Sequence, residues 1–239
     1  MALRDHDVLS FDCYGTLIDW ESGLYNALGP LLERAGVSLS RDAVLETFAR
    51  HESAQQAATP DMLYDALLAE VHGQLAAAWG VARDAAEDAR FGASVSDWPA
   101  FPDTADALRY LKQHYRLIIL SNVDRRSFAA SNERLGVAFD AVYTAQDIGS
   151  YKPDRRNFAY LIERVAEQGT PKERLLHVAQ SLFHDHVPAN AMDLASAWID
   201  RRGAAGGSGA TAPISEPVRY DYRFPTLGAL VDAHRSGTV

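Results

Sequence analysis

Short apolar runs alternate with helical patterns along much of the chain. A strand buried on both faces is a short continuous apolar run, whereas an amphipathic helix repeats its apolar residues every three to four positions. The runs that predict buried strands are 7–11, 115–120, 141–144, 175–180 and 196–200. Helical patterns over 125–136 and 154–169 end at Gly136 and Gly169, and this alternation predicts a parallel sheet covered by helices on both faces.

The segment 18–97 interrupts this alternation with successive helical patterns. Leu24 and Leu28 recur at helical spacing in it, and Thr59 of the sequence TPDM is expected to cap a helix. A helical insert directly after the first strand would lie over the carboxyl ends of the strands, where ligands bind in such sheets. We therefore predict two domains: a core of residues 1–17 and 98–239, and a helical cap of residues 18–97.

The C-terminal part of the chain contains a second change of composition. Residues 201–213 are rich in glycine and small side chains, which predicts a flexible surface loop. Residues 220–234 then predict a short edge strand and a closing helix.

Charge and composition limit the possible partners. The formal net charge of −9 argues against nucleic acid or an anionic membrane as the main partner. The N-terminus lacks the apolar core of a signal peptide, and no run of about 18 apolar residues occurs, so we expect a cytoplasmic protein with no membrane contact. A single cysteine, Cys13, excludes an intrachain disulfide and suits a reducing compartment. A homodimer is expected only from base rates.

Polar side chains stand where the predicted strands end. Asp12 follows the first strand, Ser121 and Asn122 the second, Lys152 the loop after the third, and Asp185 the fourth. Because the carboxyl ends of parallel strands meet at one edge of the sheet, we expect these groups to converge on one crevice.

Asp12 is the residue with the strongest chemical implication. A carboxylate at a strand terminus can attack carbon or phosphorus and form an ester or acyl phosphate, which water then hydrolyses. The alternative for Asp12 is a helix cap or a turn residue. The buried strand before it and the Gly15–Thr16 pair after it favour the nucleophile.

The order of these motifs resembles the haloacid dehalogenase (HAD) superfamily, and within it the branch of the L-2-haloacid dehalogenases. The shared elements are DxYGT at 12–16, SN at 121–122, KPD at 152–154 and the later Asp185. The resemblance implies a Rossmann-like, three-layer α/β core, a helical cap inserted after the first motif, and Asp12 as the nucleophile.

The resemblance also implies roles for the other strand-end residues. Lys152 would pair with Asp12 and keep it ionised, and Asp185 would orient the hydrolytic water. From their own chemistry, the Ser121 hydroxyl and the Asn122 amide, together with helix N-terminal N–H groups, would hold a substrate carboxylate or phosphate. The alternatives are a side-chain turn that starts the next helix for Ser121 and Asn122, and an ordinary turn lysine for Lys152.

Further contacts to substrate are expected from the aromatic and polar residues around the first motif and from the cap. These residues are Tyr14, Thr16, Trp20, Arg50 and Phe183. Arg50 is the nearest match to the cap arginine that the resemblance implies. The chain departs from the dehalogenase pattern at Phe158, where a tyrosine is usual, and at Gln180 and Leu182 of the last motif.

The first motif lacks the second acid that phosphatases of the superfamily carry, since Tyr14 occupies that position. A halide leaves without a proton, whereas an alkoxide needs a general acid. We therefore predict hydrolytic dehalogenation of short 2-haloalkanoic acids through an aspartyl ester, with a small carboxylate as substrate and no cofactor. The alternatives are a Mg²⁺-dependent phosphatase acting on a small metabolite and a non-catalytic carboxylate-binding protein.

The histidines and the cysteine carry no separate prediction of chemistry. His184 and His186, two residues apart, do not share a helix face, and no third ligand stands at metal-binding spacing. We predict no metal site from them and expect Cys13 to be a buried structural thiol.

Overall fold

A parallel sheet of six strands forms the centre of the part of the chain that the structure describes. That structure, a computed structural model, describes residues 2–203, 209–211, 213–214 and 217–237. All strand pairs are parallel, in the order β3-β2-β1-β4-β5-β6. The strands are β1 Val8–Phe11, β2 Arg116–Ser121, β3 Ala141–Thr144, β4 Leu175–Ala179, β5 Ser196–Ile199 and β6 Tyr222–Phe224.

The direction of strand succession reverses between β1 and β4. The chain builds outward from β1 through β2 to β3, then crosses to β4 and builds outward on the other side. The loops after β1 and β4 therefore diverge, which opens a crevice at their carboxyl ends. This is the predicted Rossmann-like α/β class, and the prediction is confirmed, including the strands β1 to β5 and the short edge strand β6.

Helices cover both faces of this sheet. Their bounds are α1 Trp20–Ala35, α2 Arg41–Ala58, α3 Tyr64–Ala78, α4 Ala85–Ala93, α5 Thr104–Leu111, α6 Arg125–Leu135, α7 Ala145–Ile148, α8 Arg155–Glu167, α9 Val187–Ala191 and α10 Leu227–Ser236. Short 3₁₀ turns lie at Leu3–Asp5, Ser94–Asp97 and Lys172–Arg174, and a π-helical turn lies at Leu182–His186.

The two faces bury separate apolar layers. On one, Val8 and Ile118 of the sheet pack against Phe158 and Leu161 of α8. The opposite face is covered by apolar side chains of α5 and α10: Ala107, Leu108, Leu111, Leu227, Leu230 and Val231. Burying one such side chain contributes roughly 1.5–3 kcal/mol. Truncation of the fully buried Leu161 to alanine would therefore cost about 2–5 kcal/mol, once the cavity is included.

Local sequence sets the ends of the crossover helices. Asp124 caps α6, since its carboxylate accepts a hydrogen bond of 2.8 Å from the N–H of Ser127. Gly136 ends the same helix with φ +63°, a conformation that glycine adopts at little cost. Asp154 caps α8 in the same way, accepting from the N–H of Arg156 at 2.8 Å. These caps place the polar loops at the carboxyl edge of the sheet.

The segment between β1 and α5 holds the helices α1–α4, with α3 packed against α2 and α4. One local prediction is wrong. Thr59 does not cap α3 but ends α2, because its hydroxyl donates to the carbonyl of Gln55 at 2.9 Å. Leu63 precedes α3 without a side-chain cap. The division into a core of 1–17 and 98–239 and a cap of 18–97 stays a prediction.

Two further predictions concern the chain outside this framework. The loop predicted over 201–213 lies partly outside the described residues, at 204–208 and 212. Within the part of the chain that the structure describes, the helices are all too short or too polar to cross a bilayer.

Candidate active site

Asp12 lies directly after β1, in the crevice beside β4, and is 6% exposed. Thr16 donates a hydrogen bond of 2.8 Å to its Oδ2 and in turn accepts one of 2.9 Å from the N–H of Gln180. The turn between them needs Gly15, which has φ +94° and would place a Cβ only 3.0 Å from both the Gln180 and Trp20 side chains. Thr16 thus orients Asp12.

Lys152 connects Asp12 to Asp185. Its Nζ lies 2.9 Å from Oδ1 of Asp12, 2.7 Å from Oδ1 of Asp185 and 3.0 Å from the carbonyl of Leu120. The side chain is 1% exposed, so its three ammonium hydrogens all find acceptors inside the protein. The sequence placed these three groups at one edge of the sheet, and the structure brings them into direct contact.

The cluster holds one cation between two carboxylates, and the effect of burial on each pKa competes with that of the neighbouring charges. Burial raises the pKa of Asp12; the Lys152 ammonium lowers it and the Asp185 carboxylate raises it, and the net direction is upward. Burial alone would lower the pKa of Lys152, but the two carboxylates raise it above its usual range. For Asp185, burial is outweighed by Lys152 and by a hydrogen bond from His177, and its pKa falls well below the ordinary range.

His177 and Ser10 complete the cluster from behind, and the sequence reasoning missed both. Nε2 of His177 lies 2.9 Å from Oδ1 of Asp185, and Nδ1 lies 2.9 Å from Oγ of Ser10. Both residues are fully buried inside strands β4 and β1. A polar residue within an apolar strand was the available signal, but only the pairing of β1 with β4 shows that the two face each other.

Ser121 ends β2 and Asn122 follows it, and the two side chains have different contacts. The hydroxyl of Ser121 is buried without a hydrogen-bond partner among the described residues. A buried donor in this state costs free energy, so the site suits a ligand that accepts from it. Asn122 instead holds the Lys152 backbone with two hydrogen bonds, accepting from its N–H at 2.6 Å and donating to its carbonyl at 2.9 Å. The predicted carboxylate cradle therefore rests on Ser121, and Asn122 positions Lys152.

The family model of the haloacid dehalogenase-like hydrolases matches residues 6–179. The chain belongs to this family. An (S)-2-haloacid dehalogenase of Pseudomonas fluorescens is 32% identical over 108 residues, which cover 44% of this chain and 46% of that protein. The match thus spans less than half of the relative's length. These findings confirm the resemblance identified from the motifs.

Solved structures of the family share the fold over almost the whole chain. A defluorinating L-2-haloacid dehalogenase superposes with a TM-score of 0.78 at 19% identity, covering 98% of both chains. The L-2-haloacid dehalogenase of Xanthobacter autotrophicus superposes at 0.77 with 18% identity, covering 96% of this chain and 98% of that one, and it is also known with chloropropionic acid covalently bound. A magnesium-bound HAD hydrolase of Bacillus subtilis reaches 0.74 at 18% identity, covering 98% and 99%. Identities this low show the fold alone.

The aromatic residues predicted to contact substrate lie at different places in the structure. The hydroxyl of Tyr14 is 2.9 Å from Oγ of Ser131 on α6, and its ring meets Trp98 edge to face at 5.6 Å between centroids. Trp20, at the start of α1, is 7% exposed and meets Phe48 of α2. Phe183 is partly buried beside His184. Tyr14 therefore anchors the first motif to α6.

Arg50 is exposed on α2, and its guanidinium donates to Oγ1 of Thr47 at 3.1 Å. That it lies over the substrate stays a prediction, and α2 turns a different face toward the protein interior. Glu52, on that inner face, is 3% exposed and accepts a hydrogen bond of 2.8 Å from the hydroxyl of Tyr64. Burial raises the pKa of Glu52 to about 7. The sequence reasoning missed this carboxyl group.

The residues of this site do not fit a magnesium ion. Mg²⁺ takes six oxygens in octahedral geometry and usually keeps several waters, so the protein must supply a few well-placed anionic oxygens. Among the described residues, the side-chain oxygens considered for it are those of Asp12, Asp185 and the neutral amide of Gln180. The ammonium of Lys152 already lies on one oxygen of each carboxylate. Within the described ranges, no three His, Cys, Asp or Glu side chains come together as ligands for a metal ion.

His184 and His186, on either side of Asp185, form hydrogen bonds within the fold. His186 meets Oγ of Ser196 at 3.0 Å and the Ala179 carbonyl at 3.1 Å, and His184 meets Oγ of Ser181 at 3.2 Å. Burial lowers the pKa of both histidines to about 4, so both rings are neutral near pH 7. Cys13 is buried, and burial raises the pKa of its thiol, which makes it a poor nucleophile.

Proposed function

We propose that the chain hydrolyses short 2-haloalkanoic acids, releasing halide and the 2-hydroxy acid through an ester on Asp12. The observation that carries the proposal is the buried cluster in which one ammonium, that of Lys152, bridges Asp12 and Asp185. A desolvated carboxylate held by a cation and by Thr16 is oriented for attack on a carbon atom in the crevice.

The first step is displacement at the α-carbon. An oxygen of Asp12 forms a bond to that carbon with inversion, the carbon–halogen bond breaks, and halide leaves with the bonding electrons. No proton is required, which suits a first motif in which Tyr14 is engaged with Ser131 rather than available as an acid. Ser121, whose buried hydroxyl lacks a partner among the described residues, would donate to the substrate carboxylate.

The second step is hydrolysis of the ester. Water attacks the carbonyl carbon of Asp12, and the bond from that carbon to the alkoxide oxygen breaks. One water proton passes through Asp185 to the departing alkoxide, and the other is lost as Asp12 ionises again. Lys152 offsets the charge that develops on the carbonyl oxygen.

The related proteins support this substrate class. The matched relative from Pseudomonas fluorescens is an (S)-2-haloacid dehalogenase, and a structure of the Xanthobacter autotrophicus enzyme contains chloropropionic acid covalently bound. We propose by analogy that segment 18–97 acts as the cap, with Trp20 and the apolar residues near it bordering a small substrate.

Halide release from chloroacetate and from each enantiomer of 2-chloropropionate, with and without EDTA, tests the proposal. Asp12→Asn serves as the control, since it keeps the side-chain shape and removes the charge. We expect the wild type to release halide at a rate that EDTA does not change. The Asp12→Asn variant should release none. Phosphate release from p-nitrophenyl phosphate that Mg²⁺ supports and EDTA abolishes, without halide release, would instead establish a phosphatase. No turnover of either substrate would favour a binding protein.

A further inference from the structure

Ser10, His177 and Asp185 form a continuous buried chain behind the reacting carboxylate. Ser10 of β1 and His177 of β4 are paired in the parallel register, and their side chains lie on the same face of the sheet. The Ser10 Oγ lies 2.9 Å from Nδ1 of His177, and Nε2 lies 2.9 Å from Oδ1 of Asp185. Neither Ser10 nor His177 is exposed.

The partners determine which ring nitrogen carries the proton. An ionised carboxylate can only accept hydrogen bonds, so Nε2 of His177 must donate to Asp185. The other ring nitrogen, Nδ1, lies 2.9 Å from the Ser10 hydroxyl. Phe158 meets the same ring edge to face at 5.0 Å between centroids. Ser10 and Phe158 therefore hold the His177 ring with its N–H directed at Asp185.

The two oxygens of Asp185 are consequently unequal. Oδ1 accepts from both His177 and Lys152, whereas Oδ2 is buried and has no partner among the described residues. A carboxylate held by two donors at one oxygen cannot rotate without breaking both hydrogen bonds. The second oxygen is thereby kept in a fixed direction, available for a hydrogen bond from water.

We propose that His177, itself held by Ser10, is a positioning residue for the hydrolysis of the Asp12 ester. The inference rests on the proposed function and concerns its second step. His177 touches neither substrate nor the reacting atoms; it fixes Asp185 so that Oδ2 takes one proton from the attacking water and returns it to the departing alkoxide. Displacement of halide involves no proton and should not depend on His177.

The test compares His177→Leu with His177→Gln, in which the amide nitrogen replaces Nε2 as donor. With 2-chloropropionate, quenched-flow mass spectrometry measures the fraction of Asp12 in the ester form, and halide release measures the first turnover. We expect the Leu variant to hydrolyse the ester about 10–100-fold more slowly, so that the ester accumulates, with first-turnover halide release little changed. The Gln variant should recover most of the loss.

The pH profile of ester hydrolysis supplies a second readout. Because His177 helps to lower the pKa of Asp185, its loss should move the acid limb of that profile to higher pH. A purely structural role would reduce the rate at every pH without moving the limb.

His186→Leu is the matched control, because His186 is equally buried and also meets a serine, Ser196, but reaches a backbone carbonyl rather than Asp185. It should lose stability without accumulating ester. If His186→Leu accumulates ester to the same extent, or if His177→Leu hydrolyses it at the wild-type rate, the inference is wrong.

The test also covers a His177→Leu variant that does not fold and a wild type that releases no halide. If His177→Leu does not fold, Ser10→Ala takes its place: the ring keeps its donor but loses its restraint. We expect a folded protein with partial ester accumulation and a melting temperature lowered by the loss of one buried hydrogen bond. Absence of accumulation in Ser10→Ala would then overturn the inference. If the wild type releases no halide, the proposed function fails, and the inference with it; halide release without these variant effects rejects the inference alone.

Discussion

Lys152 donates a hydrogen bond of 2.9 Å from Nζ to Oδ1 of Asp12, with side-chain exposures of 1% and 8%. This cluster of two carboxylates and one ammonium is shielded from water. The charge of Lys152 is therefore important for folding as well as for the reaction. Removing one partner of a buried ion pair leaves an uncompensated charge, which lowers the free energy of unfolding by about 3–5 kcal/mol.

Lys152→Met should therefore lower both activity and stability at neutral pH. We expect kcat/KM for 2-chloropropionate to fall by at least about 100-fold, and the acid limb of its pH profile to move upward, because the pKa of Asp12 rises further without the ammonium. The stability deficit should be largest above pH 7 and shrink toward acid pH, as the unpaired carboxylates take up protons. Urea unfolding of wild type and variant at pH 5 and 8 measures this difference.

The double variant Lys152→Met/Asp185→Asn controls for charge balance. It should restore part of the stability, since only one carboxylate of the cluster, that of Asp12, remains unpaired, but it should not restore turnover. A single Lys152→Met variant with near-wild-type kcat/KM would show that the ammonium takes no part in the reaction.

Ser121→Ala should affect binding and stability in opposite directions. The buried hydroxyl lacks a partner among the described residues, so its removal should leave the free energy of unfolding unchanged or raise it by up to about 1 kcal/mol. Loss of a hydrogen bond to a charged carboxylate should raise KM by roughly 10–100-fold. Ser131→Ala is the comparison: its equally buried hydroxyl meets Tyr14 at 2.9 Å, so this change should lower stability. A KM unchanged in Ser121→Ala would remove Ser121 from substrate binding.

A single turnover in H₂¹⁸O should label the enzyme and leave the first hydroxy acid unlabelled. Water attacks the carbonyl carbon of Asp12 in the proposed second step, whereas the oxygen of the product comes from the carboxylate itself. Mass spectrometry of the peptide that contains Asp12 reads out the label. Label in the hydroxy acid during the first turnover would mean that water displaces halide directly.

Glu52→Gln should make stability less dependent on pH. The pKa of this carboxyl is about 7 in the folded protein because of burial, against 4.5 when unperturbed, so the folded state retains a proton that the unfolded state has lost. Stability from this group is complete below about pH 4.5 and is lost as pH rises through 7, a change on the order of 3 kcal/mol. The variant keeps the acceptor for Tyr64. Its free energy of unfolding, compared with that of the wild type at the same pH, should be more favourable at pH 8 than at pH 5.

Glu46→Gln on the exposed side of the same helix is the control and should leave the pH dependence of stability unchanged. Equal pH dependence of stability in wild type and Glu52→Gln would mean that Glu52 ionises normally.

The strand-end residues could be found from sequence because parallel strands all present their carboxyl ends at one edge. Once the runs before Asp12 and Ser121 are recognised as strands, their neighbours at that edge follow without knowledge of packing. The same local logic locates Gly136 at the end of α6, since a helix end depends on residues a few positions apart, but it failed for the cap predicted at Thr59.

Which of Arg50 and Glu52 is buried could be seen only in the tertiary structure. Two residues apart on α2, they lie about 200° apart around the helix axis, so the packing of the helix decides which of them is buried. The resemblance to the family favours Arg50 as the cap arginine, whereas the structure buries the carboxyl group of Glu52.

The sequence by itself determined the order of the elements and the chemical groups at the edge of the sheet, because both depend on local pattern. Only the tertiary structure decided the partners of those groups. Ser10 and His177 are 167 residues apart and meet only because β1 pairs with β4. The upward pKa of Asp12 likewise depends on burial by distant segments, which no local pattern contains.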